Sequence, residues 1–311
     1  MKAIAVTQFG GPESLQVLDL PVPDAGPGEI RIKVVAATVN PVDTMVRRGL
    51  AFVDDAEPPY VPGMEAAGTV DQIGEGTITD LSVGDRAIAI AVTSGTHGAY
   101  AEYLVVPADS VVRAPEGASD VEAATLPMNG LTARMALDLL ELPADGTVAV
   151  VGAAGAVGGY AVQLAKVEGF RVIADAAPAD VQLVKELGAD VVVPRGDDFA
   201  NLVRTQVPDG VDGLVDTAGV AASVTRAVRD GGRVVSSAPG ADLATERGIV
   251  TERTFVPSYA REHVKLDRLR QLAEEGGITL RVARPLPPEQ AAAAHRLLEE
   301  GGLRGRVVLT F

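Results

Sequence analysis

The stretch VAVVGAAGAVGGYAVQLAK (148–166) decides the fold of this chain. Four small or apolar residues lead into Gly152, Gly155 and Gly158, and apolar residues then recur at helical spacing. A buried strand that enters a helix through a glycine-rich turn forms an anion site, because the first amides of the helix have no partner within it. Gly152 permits the tight exit, Gly155 lets the backbone approach a diphosphate, and Gly158 lets the helix pack close to the strand.

The residues that follow this stretch strengthen that interpretation. RVIADA (171–176) is a further apolar strand, and it places Asp175 17 positions after Gly158. An acid at the end of the second strand is typical of dinucleotide sites, where it accepts hydrogen bonds from a ribose. The spacing therefore predicts a bound dinucleotide, and the alternative is a turn that uses small residues only for packing. The remaining cofactor-binding residues expected in this turn are Ala153, Ala156 and Val157.

The pattern of predicted strands and helices changes near residue 120 and divides the chain into two regions. Up to about residue 117, short strands with alternating apolar residues predict a compact antiparallel barrel or sandwich. From about residue 120, continuous apolar strands alternate with helices, which predicts a doubly wound parallel sheet. Two amphipathic helices and a strand follow from about residue 261 and can return to the first domain. We expect an α/β protein with one domain over 1–117 and 261–311 and a dinucleotide-binding domain over 118–260.

Composition excludes several classes of partner. The formal net charge of −15 disfavours nucleic acid and anionic membrane surfaces. The chain has no cysteine, which excludes disulfides, thiolate nucleophiles and cysteine-ligated zinc. The opening segment MKAIAVTQFG alternates like a strand and lacks the apolar core of a signal peptide. We therefore expect a cytoplasmic protein, without a membrane partner, that acts on a small molecule.

Several motifs, at this order and spacing, identify a family. The matching segments are NPVDTMVRRG (40–49), PGMEAAGTVDQIGEG (62–76), VGDRAIA (83–89), GAYAEYLVVP (98–107), LPMNGLTA (126–133), GAAGAVGGYAVQLAK (152–166) and LGADVVV (187–193). Across essentially its whole length the chain resembles the zinc-free, zeta-crystallin-like quinone oxidoreductases of the medium-chain dehydrogenase/reductase superfamily. The resemblance implies a GroES-like β-barrel domain, a Rossmann domain and a nicotinamide cofactor between them. It also implies a homodimer joined through the edge of the Rossmann sheet.

The resemblance further implies roles for individual residues. Asn40 would lie beside the nicotinamide and the substrate, Thr132 would contact the nicotinamide side, and Arg306 would lie near the diphosphate. The residues that would flank the carboxamide are Ser236, Ser237, Phe255 and Val256. The alternatives are a satisfied turn residue for Asn40, plain helix surface for Thr132 and an exposed strand arginine for Arg306.

The sequence favours chemistry without a metal. Zinc-dependent members of the superfamily carry a histidine at the position of Met64, and the three histidines of this chain, His97, His263 and His295, have no local ligand spacing. Without a Lewis acid, the expected reaction is hydride transfer to an acceptor that is already electrophilic, such as a quinone or an α,β-unsaturated carbonyl.

The donor to the developing oxyanion is less well defined. Many relatives have a tyrosine where this chain has Met45, so Tyr60 and His97 are the candidates, together with Asn40 as a residue of the catalytic site. Asp43 is expected to be a structural hydrogen-bond acceptor and not an acid catalyst.

The cofactor could be NADPH or NADH. Asp175 favours NADH, because its charge would repel a 2′-phosphate, and the loop at 176–180 has no lysine or arginine. The resemblance favours NADPH, and Arg195 at the next strand end could pair with a 2′-phosphate. Asp175 could instead pair with Arg195. We expect NADPH, with NADH possible.

The leading functional hypothesis is an NAD(P)H-dependent reductase of quinones or α,β-unsaturated carbonyls. An enzyme of the same chemistry dedicated to one enoyl or enone substrate in a biosynthetic pathway is the first alternative. A non-catalytic NADPH-binding sensor is an alternative of another class.

Overall fold

Short strands follow one another through the first part of the chain in the computed structural model, which describes residues 1–54, 56–238, 240–243 and 246–311. The chain divides into two compact units. The first contains Met1–Met128, Pro257–Glu274 and Leu280–Phe311, and the second contains Asn129–Val256 and Glu275–Thr279. The expected combination of a strand-rich unit and a parallel-sheet unit is confirmed.

The first unit takes its elements from both ends of the chain. They are β1 (Lys2–Val6), β2 (Leu15–Asp19), β3 (Glu29–Thr38), α1 (Pro41–Arg47), β4 (Glu65–Ile73), β5 (Arg86–Ile90), β6 (Tyr103–Pro107), β7 (Val111–Arg113), α2 (Asp120–Ala123), and near the end α8 (His263–Glu274), β14 (Val282–Leu286), α9 (Ala291–Glu300) and β15 (Arg306–Thr310). A seven-stranded sheet has the order β14-β15-β3-β4-β5-β7, with β6 beside β3, and β1 pairs with β2. The C-terminal strand therefore joins the sheet built by the N-terminal strands.

The second unit alternates strands and helices. Helix α3 (Pro127–Leu140) carries the chain into it, and its elements are then β8 (Thr147–Val151), α4 (Ala156–Val167), β9 (Arg171–Ala176), α5 (Val181–Glu186), β10 (Val191–Pro194), α6 (Phe199–Gln206), β11 (Val211–Asp216), α7 (Ala221–Val224), β12 (Val228–Ser236) and β13 (Val250–Arg253). All pairs in the six-stranded sheet are parallel, in the order β10-β9-β8-β11-β12-β13. The order reverses beside β8, so this unit has the topology that binds ligands at the carboxyl ends of its strands.

Burial on both faces explains why the strands of the parallel sheet have continuous apolar sequences. Val148, Ala149 and Val150 of β8 are fully buried, as strands covered on both faces require. Among the described residues, every helix is too short or too polar to cross a lipid bilayer.

Candidate functional site

The glycine turn has the conformation that its sequence predicts. Gly152 has a φ of +82°, which favours glycine strongly. A Cβ at Gly158 would lie 2.3 Å from the Gly152 carbonyl oxygen, so only glycine lets α4 start this close to β8. A Cβ at Gly155 would have a single neighbour within 4 Å, the Gly152 oxygen at 3.1 Å. Packing therefore requires glycine at two of the three positions, and the third faces mostly open space.

The first turn of α4 supplies hydrogen-bond donors. Gly155 is the N-cap in an extended conformation, and its own amide donates to the Gly152 oxygen at 2.9 Å. The amides of Ala156, Val157 and Gly158 begin the helix and have no intrahelical acceptor. Together with the positive end of the helix dipole they favour an anion such as a diphosphate.

The Asp175 carboxylate accepts hydrogen bonds from other groups of the protein. It is buried at the end of β9, and its Oδ1 accepts hydrogen bonds from the amides of Gly152 at 2.7 Å and Ala153 at 3.1 Å. Its Oδ2 accepts from Nε of Arg195 at 2.7 Å, and the Arg195 side chain is 46% exposed. The acid therefore links the glycine turn to an arginine whose remaining N–H groups can reach a ligand.

A second buried acid organises the carboxyl ends of β11 and β12. Asp216 Oδ1 accepts from the amides of Ala218 and Gly219, each at 2.9 Å, and Oδ2 accepts from the amide of Ala221 at 2.9 Å and the hydroxyl of Ser236 at 3.0 Å. Ser236, one of the expected carboxamide neighbours, therefore holds the strand ends together. Sequence reasoning missed Asp216, although an acid directly after a buried strand was a visible signal.

Ser237 differs from its neighbour. Its amide donates to the Asp216 oxygen at 2.8 Å, whereas its hydroxyl oxygen is buried and has no hydrogen-bond partner among the described residues. Buried hydroxyls are usually paired, so an orphan at this sheet edge points to an absent ligand. The other residues expected on the nicotinamide side are differently placed: Thr132 and Val256 are buried, and Phe255 is 60% exposed.

Asn40 lies in a buried polar cluster of the first unit. Its side-chain NH₂ donates to Thr38 Oγ1 at 3.0 Å and to Glu65 Oε1 at 2.9 Å, and the Thr38 hydroxyl also donates to Glu65. Glu65 Oε2 accepts from the amide of Met128 at 2.7 Å. Burial raises the pKa of Glu65, and the positive charge of Arg306 acts in the opposite direction. Both Asn40 and Arg306 are thus close to Glu65, which the sequence had not singled out.

Asp43 is the structural acceptor that the sequence predicts. Its Oδ2 accepts from the Asn40 amide at 2.7 Å and from the Tyr100 hydroxyl at 3.2 Å, and its Oδ1 accepts from the Gly63 amide at 3.0 Å. Complete burial raises the pKa of Asp43 to about 7, against the effect of these donors. The carboxylate ties the turn before α1 to the turn before β4.

The two candidate oxyanion donors have different surroundings. The Tyr60 hydroxyl donates to the Ala56 carbonyl at 2.9 Å, so its proton is already engaged. His97 lies in a short hairpin in which its amide donates to the Ser94 oxygen at 2.8 Å, and its imidazole has no hydrogen-bond partner in the part of the chain that the structure describes. Burial lowers the pKa of His97. The Thr93 hydroxyl, also buried, has no partner within the same described residues.

Met64, at the position of a metal-ligating histidine in zinc-dependent relatives, is buried beside Glu65 in sequence. The described residues contain no group of three or more His, Cys, Asp or Glu side chains placed to hold a metal ion. The donor set is therefore poor for zinc, which takes nitrogen and sulfur ligands in most proteins.

Comparison with known proteins agrees with this geometry. Residues 26–116 match the alcohol dehydrogenase GroES-like domain, and residues 187–309 match the domain family described as zinc-binding dehydrogenase. A quinone oxidoreductase of Sus scrofa is 30% identical over 99% of this chain and 97% of its own length. A chloroplastic NADPH-dependent alkenal/one oxidoreductase of Arabidopsis thaliana is 29% identical over 99% of this chain and 79% of its own. The crystal structure of an NAD-dependent alcohol dehydrogenase superposes with a TM-score of 0.89 at 32% identity, covering 100% of both chains.

Proposed function

The chain belongs to the quinone oxidoreductase family of the medium-chain dehydrogenase/reductase superfamily, and from this premise we propose that it is an NAD(P)H-dependent reductase of quinones or α,β-unsaturated carbonyls. The observation that carries the proposal is the glycine turn, where packing requires Gly152 and Gly158 but leaves the space around Gly155 open. The relatives whose names include quinone or alkenal/one substrates support this acceptor class.

The residues of the second unit fit a dinucleotide. The amides of Ala156, Val157 and Gly158 would hold the diphosphate, since they begin a helix and lack intrahelical acceptors. The orphan hydroxyl of Ser237 at the carboxyl end of β12 would hydrogen-bond the carboxamide of the nicotinamide ring. Phe255, with 60% of its surface exposed, would supply an apolar contact on the same side.

A reduced nicotinamide, when bound, supplies the hydride for this reaction. The task of the chain is to orient the acceptor, exclude water from it and donate hydrogen bonds to the oxygen on which negative charge develops. We assign the latter role to the His97 imidazole and the Thr93 hydroxyl, which are close in sequence and have no partner among the described residues. The Tyr60 hydroxyl, engaged with the Ala56 carbonyl, is the weaker candidate.

We propose that the reaction needs no metal. The support is the donor set: Met64 stands where zinc-dependent relatives have a histidine, and the sequence has no cysteine. Quinones and enones accept hydride without a Lewis acid because their own carbonyl groups make them electrophilic, so the active site needs only polar donors.

NADPH is the proposed cofactor. Asp175 supports the glycine turn as well as facing the cofactor edge, since Oδ1 accepts from the Gly152 amide and Oδ2 accepts from Arg195. Its pairing with Arg195 neutralises the charge that would repel a 2′-phosphate and leaves the guanidinium half-exposed at the strand end. An arginine in that position recognises a phosphate well, because it offers several donors in one plane.

A homodimer is the proposed assembly. Strand β13 is one of the two outer strands of the six-stranded sheet, with Val250 43% exposed, so its outer edge offers backbone groups to a second copy. Analytical ultracentrifugation of the wild type and Val250→Lys tests this, and a monomeric wild type contradicts it.

The decisive experiment for the function follows the absorbance of NADPH, then NADH, with a simple quinone and a simple enone. We expect turnover with one or both acceptors, and the comparison of the two separates a general quinone reductase from an enzyme dedicated to an enone. Tight cofactor binding without turnover would instead support a sensor. Extensive dialysis against a chelator should leave the rate unchanged, and a loss that zinc restores would contradict the metal-free reaction.

A matched pair of variants tests the cofactor site itself. In Gly155→Ala the new Cβ meets only one protein atom, at 3.1 Å, and in Gly10→Ala its nearest contact is an ordinary one of 3.5 Å. Both proteins should fold with similar melting temperatures. Only Gly155→Ala should weaken cofactor binding, by about tenfold or more, which corresponds to about 1.4 kcal/mol. Equal affinity in both variants would contradict a diphosphate at this turn.

A further inference from the structure

A chain of buried side chains leads from α9 to the turn that holds Asn40. The Tyr100 hydroxyl lies 3.2 Å from Asp43 Oδ2 and 3.2 Å from Nε2 of His295, whose Nδ1 lies 3.3 Å from Nη1 of Arg47. The rings of Tyr100 and His295 meet edge to face, with centroids 5.9 Å apart. All four side chains are buried, and the catalytic role proposed above uses none of them.

The direction of each hydrogen bond in this chain follows from Arg47. Its Nε donates to the Gly10 oxygen at 3.1 Å and its Nη2 donates to Glu299 Oε1 at 2.6 Å, so the guanidinium is fixed on both sides. A guanidinium can only donate, so Nδ1 of His295 must accept. The proton of the neutral imidazole is therefore on Nε2, where it donates to the oxygen of Tyr100.

The position of the Tyr100 hydroxyl hydrogen follows from this arrangement. Since Tyr100 accepts from His295, its own hydroxyl hydrogen points to Asp43. Asp43 thus receives three donors, from Tyr100 and from the amides of Asn40 and Gly63. A carboxylate suits three donors, whereas a protonated carboxyl would place a hydrogen against one of them.

We propose that His295 is a positioning residue, which acts through Tyr100 to keep Asp43 an acceptor and so holds the Asn40 and Gly63 turns in the geometry that the reaction needs. The proposal rests on the function proposed above and on the place beside the nicotinamide and the substrate that the family resemblance implies for Asn40. It assigns His295, remote in sequence from every motif discussed above, to the support of the catalytic site.

The charged groups that act on Asp43 and His295 lie on or next to β4, α1 and α9. Glu65 on β4 raises the pKa of Asp43 by like-charge repulsion, in the same direction as burial. Burial and the positive charges of Arg47 and Arg48 on and next to α1 lower the pKa of His295 to about 3, while Glu299 on α9 acts in the opposite direction. His295 therefore stays neutral over the working range, and Asp43 is the group that titrates near neutrality.

The first test uses the wild-type protein and needs no activity. In ¹⁵N-labelled protein at pH 8, the imidazole of His295 should be neutral with its proton on Nε2, and the other two histidines are assigned by single substitution. A proton on Nδ1, or an imidazolium, would overturn the proposal whatever the enzyme reduces.

The second test measures the dependence of kcat/KM on pH for Tyr100→Phe, with Tyr103→Phe as the matched control on β6. The wild type should lose activity as the pH falls through about 7, where Asp43 takes up a proton. Removing one donor to a carboxylate should raise the acidic midpoint of this pH profile by about one pH unit. His295→Leu should move it in the same direction, and His295→Gln, which keeps a donor, should move it less. If the acidic midpoint of the pH profile is the same in Tyr100→Phe as in the wild type, while kcat/KM falls equally at every pH, then these buried side chains have only a structural role. That result would overturn the proposal.

Discussion

Asp175→Ala distinguishes a residue that reads the ribose from one that supports the glycine turn. In the native protein the carboxylate accepts two backbone hydrogen bonds, from Gly152 and Ala153, and one from Arg195. Removing it leaves two amides without an acceptor at the end of a buried strand. An unsatisfied buried donor costs about 1–3 kcal/mol. The free energy of unfolding should therefore fall by about 2–5 kcal/mol.

The effect on cofactor binding should follow from the same geometry. Because Asp175 holds the turn that we propose to bind the diphosphate, its loss should weaken NADPH and NADH to a similar extent. Arg195→Ala should behave differently: the arginine is half-exposed, so the stability loss should be about 1–2 kcal/mol. NADPH affinity should fall about tenfold or more while NADH affinity hardly changes, since a charge-assisted hydrogen bond contributes about 1.5–3 kcal/mol.

Urea unfolding and paired dissociation constants measure both effects. A lower midpoint with an unchanged slope identifies a loss of stability without a change in the unfolding transition. Asp197→Ala, an exposed acid two positions after Arg195, is the matched control and should change neither quantity. The reasoning is refuted if Asp175→Ala keeps the wild-type midpoint and weakens NADH alone, because the carboxylate would then be a ribose ligand.

Three further predictions concern stability. Gly158→Ala places a Cβ 2.3 Å from the Gly152 carbonyl oxygen, and calorimetry should show a loss of about 1–3 kcal/mol, or failure to fold, as expected for overpacking against backbone. Asp216→Asn replaces one accepting oxygen by an NH₂ group that faces the donors around Asp216. The free energy of unfolding measured in urea should fall by about 3–5 kcal/mol, whereas the exposed control Asp209→Asn should change it little. Burial raises the pKa of Asp43 to about 7, well above the usual range of an aspartate, so the native state binds its proton more tightly than the unfolded state. Its stabilising contribution is complete at low pH and falls as the pH rises from about 4 to 7, by up to about 4 kcal/mol; the unfolding free energy of the wild type should therefore fall relative to Asp43→Asn between pH 5 and pH 8, and a parallel pair of curves would contradict the raised pKa.

The sequence was most informative where a local pattern has one structural solution. The glycine turn is such a case, because the strand before it, the helix after it and the φ of +82° at Gly152 are local consequences of adjacent residues. The edge strand β13 and strand β14 were not predicted, since IVTERT and RVARPL lack clear alternation and owe their conformation to β12 and β15. The conformation of both strands therefore depends on pairing with another strand and not on their own sequence pattern.

The same limit applies to the candidate site. Asn40, Ser237 and Arg195 could be proposed from motifs, but their hydrogen-bond partners could not. Asn40 reaches Glu65 across 25 positions, and the Tyr100–His295 contact spans 195 positions. A motif shows which side chain is present at a turn, whereas its protonation and orientation depend on groups that only the fold brings near.

Four buried acids illustrate why an acid-rich chain can still bind an anionic cofactor. Of Asp43, Glu65, Asp175 and Asp216, only Asp175 was expected from the sequence to bind a ligand, and each of the four accepts hydrogen bonds from backbone amides of its own unit. Backbone donors absorb these charges and fix the turns at the strand ends. The polar groups to which we assign ligand binding are helix amides, the Ser237 hydroxyl and the half-exposed Arg195. All of them can donate, so the local surface at the carboxyl edge of the sheet suits phosphates even though the chain as a whole carries a net charge of −15.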